Sequence, residues 1–401
     1  MKIVKTPDGR NYLLPFILVT TLFFLWGFAH SILDVLNKDF QIVFDMTKAR
    51  SGLVQTMLYG AYFLLSLPAG WFIRKWGYRK GVVFGLLLYA CGALMFIPGA
   101  RMASFTFFLL SLFVIGCGLT FLETSANPYI TVLGDEKYGS SRLNLAQSFN
   151  GLGWIVGPVV GSAVILSDSE NIASLSIPYM WLGIAVLAVA VVFMFVRLPE
   201  IKTEERVIDT EGHSGYTLFS HRHFVFGMLA LFFYVAAQTG VNSFFINYVT
   251  ETDASISPEY AGYMLGFGGM ALLMIGRMLG SWILGKSSPA KIMTIFSIGA
   301  ILCMITVMGK WGIVSVIALC LTYFFESIMF PTIFSMSVRG LGEHTKRASG
   351  FLIMTIVGGA VAPVIMGLIG EKDIAIGFIV PLVCYILIAA FSWWYFKKVR
   401  V

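Results

Sequence analysis

The chain has 401 residues, 58% of them hydrophobic and only 12% charged, with 35 phenylalanines and a mean hydropathy of +0.83. A soluble domain of this length carries far more polar surface, so composition excludes a soluble enzyme and places the chain in a membrane. The net charge of +7 does not argue for nucleic acid, because its distribution has a topological cause.

Crossing about 30 Å of hydrocarbon takes roughly 20 apolar residues as a helix. Twelve such stretches occur, over residues 13–37, 51–73, 80–98, 103–133, 142–167, 178–197, 223–250, 259–285, 290–309, 311–338, 347–370 and 374–396. The expected fold is therefore an all-α integral membrane protein with twelve transmembrane helices. Helix 1 follows a short basic start with no small-residue cleavage site behind it, and reads as a retained span rather than a cleaved signal. It carries Trp26, Phe28, His30 and Asp34; His30 and Asp34 are four apart and share a face. Asp34 lies near the outer end of its span, five residues before Asp39.

Helix 4 holds GLTFLETSANPYITVLG, residues 118–134, in which Glu123 sits deep in an apolar run and Pro128 follows it. In helix 5, Asn144, Gln147 and Asn150 fall at steps of three and stack along one side. The longest interruption, residues 198–222, is polar and divides the spans into two sets of six. The expected organisation is an N-terminal six-helix bundle over 1–200, an inter-bundle loop over 201–222, which has room for a small regulatory helix, and a C-terminal six-helix bundle over 223–401. Helix 7 carries Tyr234, Gln238 and Asn242; helix 8 carries Tyr263 and Arg277; helix 10 carries Glu326 and Pro331.

The two halves echo each other. Glu123 and Pro128 recur as Glu326 and Pro331, both at a separation of 203, and Leu133-Gly134 before Arg142 recurs as Leu341-Gly342 before Arg347. Gly157-Pro158-Val159-Val160 is matched by Ala362-Pro363-Val364-Ile365, and FFLWGFAHSILD of helix 1 by LFFYVAAQTGVN of helix 7. Parallel repeats of this kind imply two bundles related by an axis along the membrane normal, with a substrate site expected between them at the midplane.

Charge fixes an orientation. With both termini cytoplasmic, only Lys38, Lys48, Arg50, Arg101, Lys310 and Lys372 lie outside and Arg277 lies within a span; the rest of the 28 Lys and Arg residues fall on the cytoplasmic side. That is the positive-inside pattern. All five cysteines, Cys91, Cys117, Cys303, Cys320 and Cys384, fall in spans and imply neither a disulfide framework nor a metal knuckle. His30 and Asp34 without a third ligand make no metal site, and no HExxH or nucleophile motif appears, so neither enzyme nor cofactor is expected.

A carboxylate in hydrocarbon costs several kcal/mol, so Asp34, Glu123 and Glu326 should face protein or a wet cavity. The plain reading of each is an interfacial residue or a carboxyl kept neutral by hydrogen bonds. The functional reading, strongest for Glu123, is a group that loads and releases a proton as its surroundings alternate between two compartments, as a proton-coupled carrier requires. Amides and carboxylates on helices 1, 5 and 7 can hydrogen-bond vicinal hydroxyls, and Trp26, Phe28, Tyr234 or Tyr263 can cover the apolar face of a ring. Their plain roles are helix-to-helix glue and packing. Pro128 and Pro331 each remove a backbone hydrogen bond mid-span, as pivots or as static kinks. An ion channel would show rings or filter repeats, and none is visible.

In GWFIRKWGYRK, residues 70–80, the glycine spacing and basic cluster resemble the cytoplasmic loop signature of the major facilitator superfamily, with Arg74 where that signature carries an acidic residue. Arg277, in GRMLGSWI, stands at the related place in the second half, as a cytoplasmic-side anchor or a snorkelling residue. FLWGFAHSILDVL, LETSANPYITVLG, RLNLAQSFN, FYVAAQTG, FPTIFSMSVRGLG and FLIMTIVGGAVAPVIMG together resemble the fucose:proton symporter family of that superfamily, over nearly the whole chain. The resemblance implies the major facilitator fold and a monosaccharide carrier in which Glu123 takes the proton and Asp34 links sugar recognition to it. It also implies that Trp26, Gln147 and Asn150 line the sugar cavity. Fucose carriers of this family tend to have asparagines shortly before the aspartate, where this chain has His30, Ser31 and Leu33, so glucose, galactose, mannose or an amino sugar stay open beside fucose. The expectation is a monomeric proton symporter for a hexose in the inner membrane. Its rivals are an uncoupled facilitator, a proton antiporter and a non-transporting sugar sensor.

Overall fold

The computed structural model describes residue 4 and residues 11–134, 139–168, 172–196, 218–284, 287–341 and 345–398. Among them, 12 helices are long and apolar enough to cross a membrane, in agreement with the twelve expected spans. They are α1 (Leu13–Val43), α2 (Lys48–Trp76), α3 (Tyr78–Arg101), α4 (Phe105–Val132), α5 (Gly139–Val164) and α6 (Ile172–Phe195). The second set is α7 (Arg222–Thr252), α8 (Pro258–Gly280), α9 (Pro289–Met308), α10 (Ile313–Val338), α11 (Ala348–Ile369) and α12 (Ile374–Lys398). The protein is thus an all-helical, multi-pass membrane protein. Residues 201–217 of the expected inter-bundle loop lie outside the described residues.

The helices form two compact units, Met1–Asp45 with Gly60–Glu204, and Met46–Tyr59 with Glu205–Val401. The second unit includes residues 46–59, which contain the start of α2. Several contacts hold it there. The Lys48 ammonium meets the Glu251 carboxylate at 2.7 Å and donates to the Gly370 and Glu371 carbonyls at 2.9 and 3.0 Å. The Thr56 hydroxyl donates to the Ala360 carbonyl at 2.6 Å. Gly367 lets the α11 backbone come against Ala49 so closely that a Cβ there would collide with backbone. Pairings of this range leave no periodic trace in sequence.

In the first unit the tightest junction is α1 against α5. No hydrophobic force drives helices together in lipid, so small residues that admit backbone contact decide which faces meet. Gly27 lies against the Asn150 carbonyl and Gly153 against the Phe24 carbonyl, each too near for a Cβ. Two polar ties cross the same junction: the Ser31 hydroxyl donates to the Gly153 carbonyl at 3.1 Å, and the Asn150 amide to the Phe23 carbonyl at 3.0 Å.

The two repeat-related prolines behave differently. α10 runs as Ile313–Glu326 and resumes as Met329–Val338. Pro331 has no N–H for the Ser327 carbonyl, and the chain turns there, with the Ser327 N–H reaching back to Phe324 at 3.4 Å. α4 instead continues as one helix through position 128; a single missing N–H bends a membrane helix without ending it. The side chain of Pro128 lies outside the described set. α8 contains a π-helical stretch, Met264–Met270, and α11 a short 3-10 turn, Thr355–Val357, and neither was anticipated.

Replacing Gly153 by leucine should force α1 and α5 apart at a cost of about 3 kcal/mol or more. The expected result is loss of the monodisperse peak in detergent size-exclusion chromatography. Gly60→Ala, at a site with open space around it, should leave that peak unchanged. A monodisperse Gly153→Leu protein would show that the junction does not depend on backbone contact.

Candidate functional site

The apolar run of α4 starts at Ser104, whose hydroxyl accepts from the Phe107 N–H at 3.4 Å. Some five turns on, the helix presents Glu123, which is partly exposed while Leu122 beside it is buried. The Tyr62 hydroxyl of α2 is its hydrogen-bonding neighbour. That hydroxyl also lies 3.1 Å from Nε2 of His30 on α1. Trp154 of α5 stacks on the His30 ring, with centroids 5.8 Å apart and planes at 26°, and Trp26 meets it edge-on at 6.2 Å. The link from Glu123 back to helix 1 therefore runs through Tyr62 to His30. Asp34, one turn further along the same face, is 2% exposed and is an electrostatic neighbour of Tyr179 on α6.

The other candidates of this unit divide by what they touch. Trp26 and Gln147 are partly exposed. Asn150 is buried with its amide nitrogen committed to α1, the glue role of a membrane amide. The side chain of Asn144 lies outside the described set. Arg142, wholly buried, donates from Nε to the Ile130 carbonyl at 3.0 Å, which caps the end of α4 and ties LETSANPYITVLG to RLNLAQSFN. In the loop signature Arg74 is exposed, whereas Arg79 caps the end of α6 by donating to the Phe193 carbonyl at 3.3 Å and to the Met194 carbonyl.

The second unit gathers its candidates around Glu326, the last residue before the break in α10. Glu326 is 0% exposed and accepts from the Tyr385 hydroxyl of α12 at 2.7 Å. Gln238 of α7 and Arg277 of α8 are its other polar neighbours, so Arg277 serves here beside a buried acid. Tyr234 packs beside Gln238 and Glu326, and Asn242 is buried, its Oδ1 accepting no hydrogen bond from the described residues. Tyr62, Trp154 and Tyr385 were not singled out by sequence. A tyrosine or tryptophan in a span is common, and only helix rotation reveals that it faces an acid.

Chemically the two acids differ. Glu123 is reachable and stands next to a protic chain of hydroxyl and imidazole; Glu326 is sealed and held by a phenol, an amide and a cation. The first arrangement can exchange a proton with its surroundings, and the second holds helices 7, 8, 10 and 12 to one another.

Compared with known proteins, the chain matches the Major Facilitator Superfamily over residues 15–356. It is 36% identical to the L-fucose-proton symporter of Escherichia coli (strain K12), with 96% of this chain and 94% of that protein covered. It is 34% identical to the glucose/galactose transporter of Brucella abortus biovar 1 (strain 9-941), with 97% and 95% covered. Its structure is similar to the crystal structure of FucP, a Major Facilitator Superfamily transporter in the outward conformation. That match has a TM-score of 0.70 and 35% identity, covering 96% of this chain and 99% of the other.

Removing the phenol with Tyr385→Phe leaves the Glu326 carboxylate short of a donor and should destabilise the protein by about 1–3 kcal/mol. A thermal-shift assay in detergent should read this as a lower Tm. An unchanged Tm would show that Gln238 and Arg277 suffice to hold the acid.

Proposed function

The chain belongs to the Major Facilitator Superfamily, and from that premise we propose that it is a secondary active transporter. It imports a monosaccharide, fucose, glucose, galactose or a related hexose, by proton symport through alternating access. One observation carries the reading: a reachable carboxyl, Glu123, stands inside a membrane span next to a hydroxyl–imidazole chain, in a chain whose relatives are named proton symporters and sugar transporters.

In the outward state Glu123 takes a proton and the sugar binds at Asp34. Trp26, His30, Gln147, Asn150, Gln238, Asn242 and Tyr234 are the further contacts we assign to sugar. Their hydroxyl, amide and ring chemistry suits a polyol with one apolar face. Closure and inward opening follow, and sugar and proton leave to the cytoplasm. Loading shifts the equilibrium only through different affinity for the two states. The proton is the coupling ion and no further cofactor is needed. The positive-inside pattern supports both termini being cytoplasmic in an inner membrane, with Pro128 and Pro331 as points of flexure. We take the monomer as the working unit.

The test is transport of radiolabelled monosaccharides in a transport-deficient host, with external pH recorded in energised vesicles. Alkalinisation on adding the accepted sugar is expected, and sugar flux without it overturns symport in favour of uncoupled facilitation. Glu123→Gln should lower proton-driven accumulation by about a hundredfold and leave counterflow exchange measurable, because exchange needs no net deprotonation. Retained accumulation would remove Glu123 from coupling. Asp34→Asn should weaken sugar binding at least about tenfold, roughly 1.4 kcal/mol, by calorimetry or tryptophan fluorescence, and unchanged affinity would detach Asp34 from recognition.

A further inference from the structure

We propose that His30 and Tyr62 form a proton wire that delivers the proton to Glu123, so that His30 is a proton-handling residue of this carrier. The proposal rests on the symport reading above. Its observations are geometric. The Tyr62 hydroxyl stands between two groups, 3.1 Å from Nε2 of His30 and in hydrogen-bonding relation with the Glu123 carboxyl. The flat face of Trp154 and the edge-on contact with Trp26 hold the imidazole plane, which keeps Nε2 aimed at the phenol. His30 is 7% exposed and Tyr62 2% exposed, so bulk water does not short-circuit the contact between them.

A phenol has one proton and can donate in only one direction at a time. While Glu123 is ionised it is the stronger acceptor, so Tyr62 donates to it and accepts from Nε2–H of His30. A proton arriving at Nδ1 makes the ring an imidazolium. The Nε2 proton then passes to the Tyr62 oxygen as the phenolic proton passes to Glu123. One N–H and one O–H bond break, new O–H bonds form at Tyr62 and Glu123, and the ring returns to neutral with its proton on Nδ1. One proton has entered, one negative charge has gone, and no tyrosinate or free ion is left in the interior.

The wire now has reversed polarity: Glu123 donates to Tyr62 and Tyr62 donates to Nε2. As a consequence Nδ1 has changed from hydrogen-bond acceptor to donor. Loading the proton thereby alters what helix 1 offers a sugar hydroxyl, which is the differential interaction that coupling requires. The titratable groups around the wire are Asp34 on the same helix face as His30, Tyr62 on α2 and Glu123 on α4, with Tyr179 of α6 beside Asp34; α5 contributes the uncharged Trp154.

The experiment compares the parent protein with Tyr62→Phe and His30→Asn in proteoliposomes, reading proton-driven accumulation, counterflow exchange and the dependence of accumulation rate on deuterium fraction. Each variant is expected to lose about tenfold or more in accumulation, Tyr62→Phe keeps exchange within about twofold, and the parent's rate should fall along a bowed curve as deuterium replaces hydrogen, because several protons move together. Accumulation retained in either variant overturns the wire, and so does exchange lost together with accumulation in Tyr62→Phe, which assigns Tyr62 to sugar binding or packing. Should a variant fail to fold, the parent's curve decides: a linear or flat dependence overturns the proposal. A parent that accumulates none of the sugars tested overturns the symport reading itself, an outcome separate from failure of the wire.

Discussion

An acid placed in hydrocarbon costs several kcal/mol unless protein or water surrounds it, and the placing of acids organises much of this molecule. Glu123 and Glu326 occupy repeat-related positions, and each is met by a tyrosine hydroxyl. The tyrosines are not repeat-related: Tyr62 comes from the second helix of its set and Tyr385 from the sixth. A phenol suits the task because it donates one strong hydrogen bond while its ring remains at home among apolar side chains. The same requirement has thus been met twice from different neighbours, as expected if the acid's position is inherited from the repeat and its partner is chosen by local packing.

Packing around these acids relies on backbone contact rather than on apolar area. Gly27 and Gly153 bring α1 and α5 together, and that approach sets Trp154 over His30. The ring is then fixed between two indoles before any hydrogen bond is counted. Arg142 does the corresponding work at the end of α4, where its guanidinium satisfies a terminal carbonyl that lipid could not. The segments LETSANPYITVLG and RLNLAQSFN, both part of the resemblance to the symporter family, are therefore physically joined by that contact.

Much of this was legible in the sequence. Twelve spans could be read because each is a run of apolar residues long enough to cross hydrocarbon, and acids such as Glu123 stand out against that background. Gln238 was picked out as an amide able to bond hydroxyls and Tyr234 as a ring able to cover a sugar face, and both lie at Glu326. The partners were illegible for a different reason. Among 35 phenylalanines, 16 tyrosines and 9 tryptophans no single ring is informative, and which one faces an acid depends on helix rotation and crossing. The seating of Met46–Tyr59 in the second unit depends on contacts more than 300 residues apart, such as Thr56 to Ala360. Pro331 marked a real interruption, whereas Pro128 lies in an unbroken helix, because one absent N–H constrains a helix without dictating whether it ends.

The two acids differ in their surroundings. A group that must gain and lose a proton in every cycle has to be reachable and must tolerate both charge states. Glu123 is partly exposed and meets a phenol, Tyr62, that can donate or accept and that in turn touches the His30 imidazole. Glu326 is 0% exposed, and the neighbours pressing on it are donors: the Tyr385 hydroxyl, the Gln238 amide and the Arg277 guanidinium. Such a set ties the acid to helices 7, 8 and 12. The repeat therefore places two acids in equivalent positions with different surroundings: one partly exposed beside a hydroxyl, the other enclosed by donors beside the break in α10.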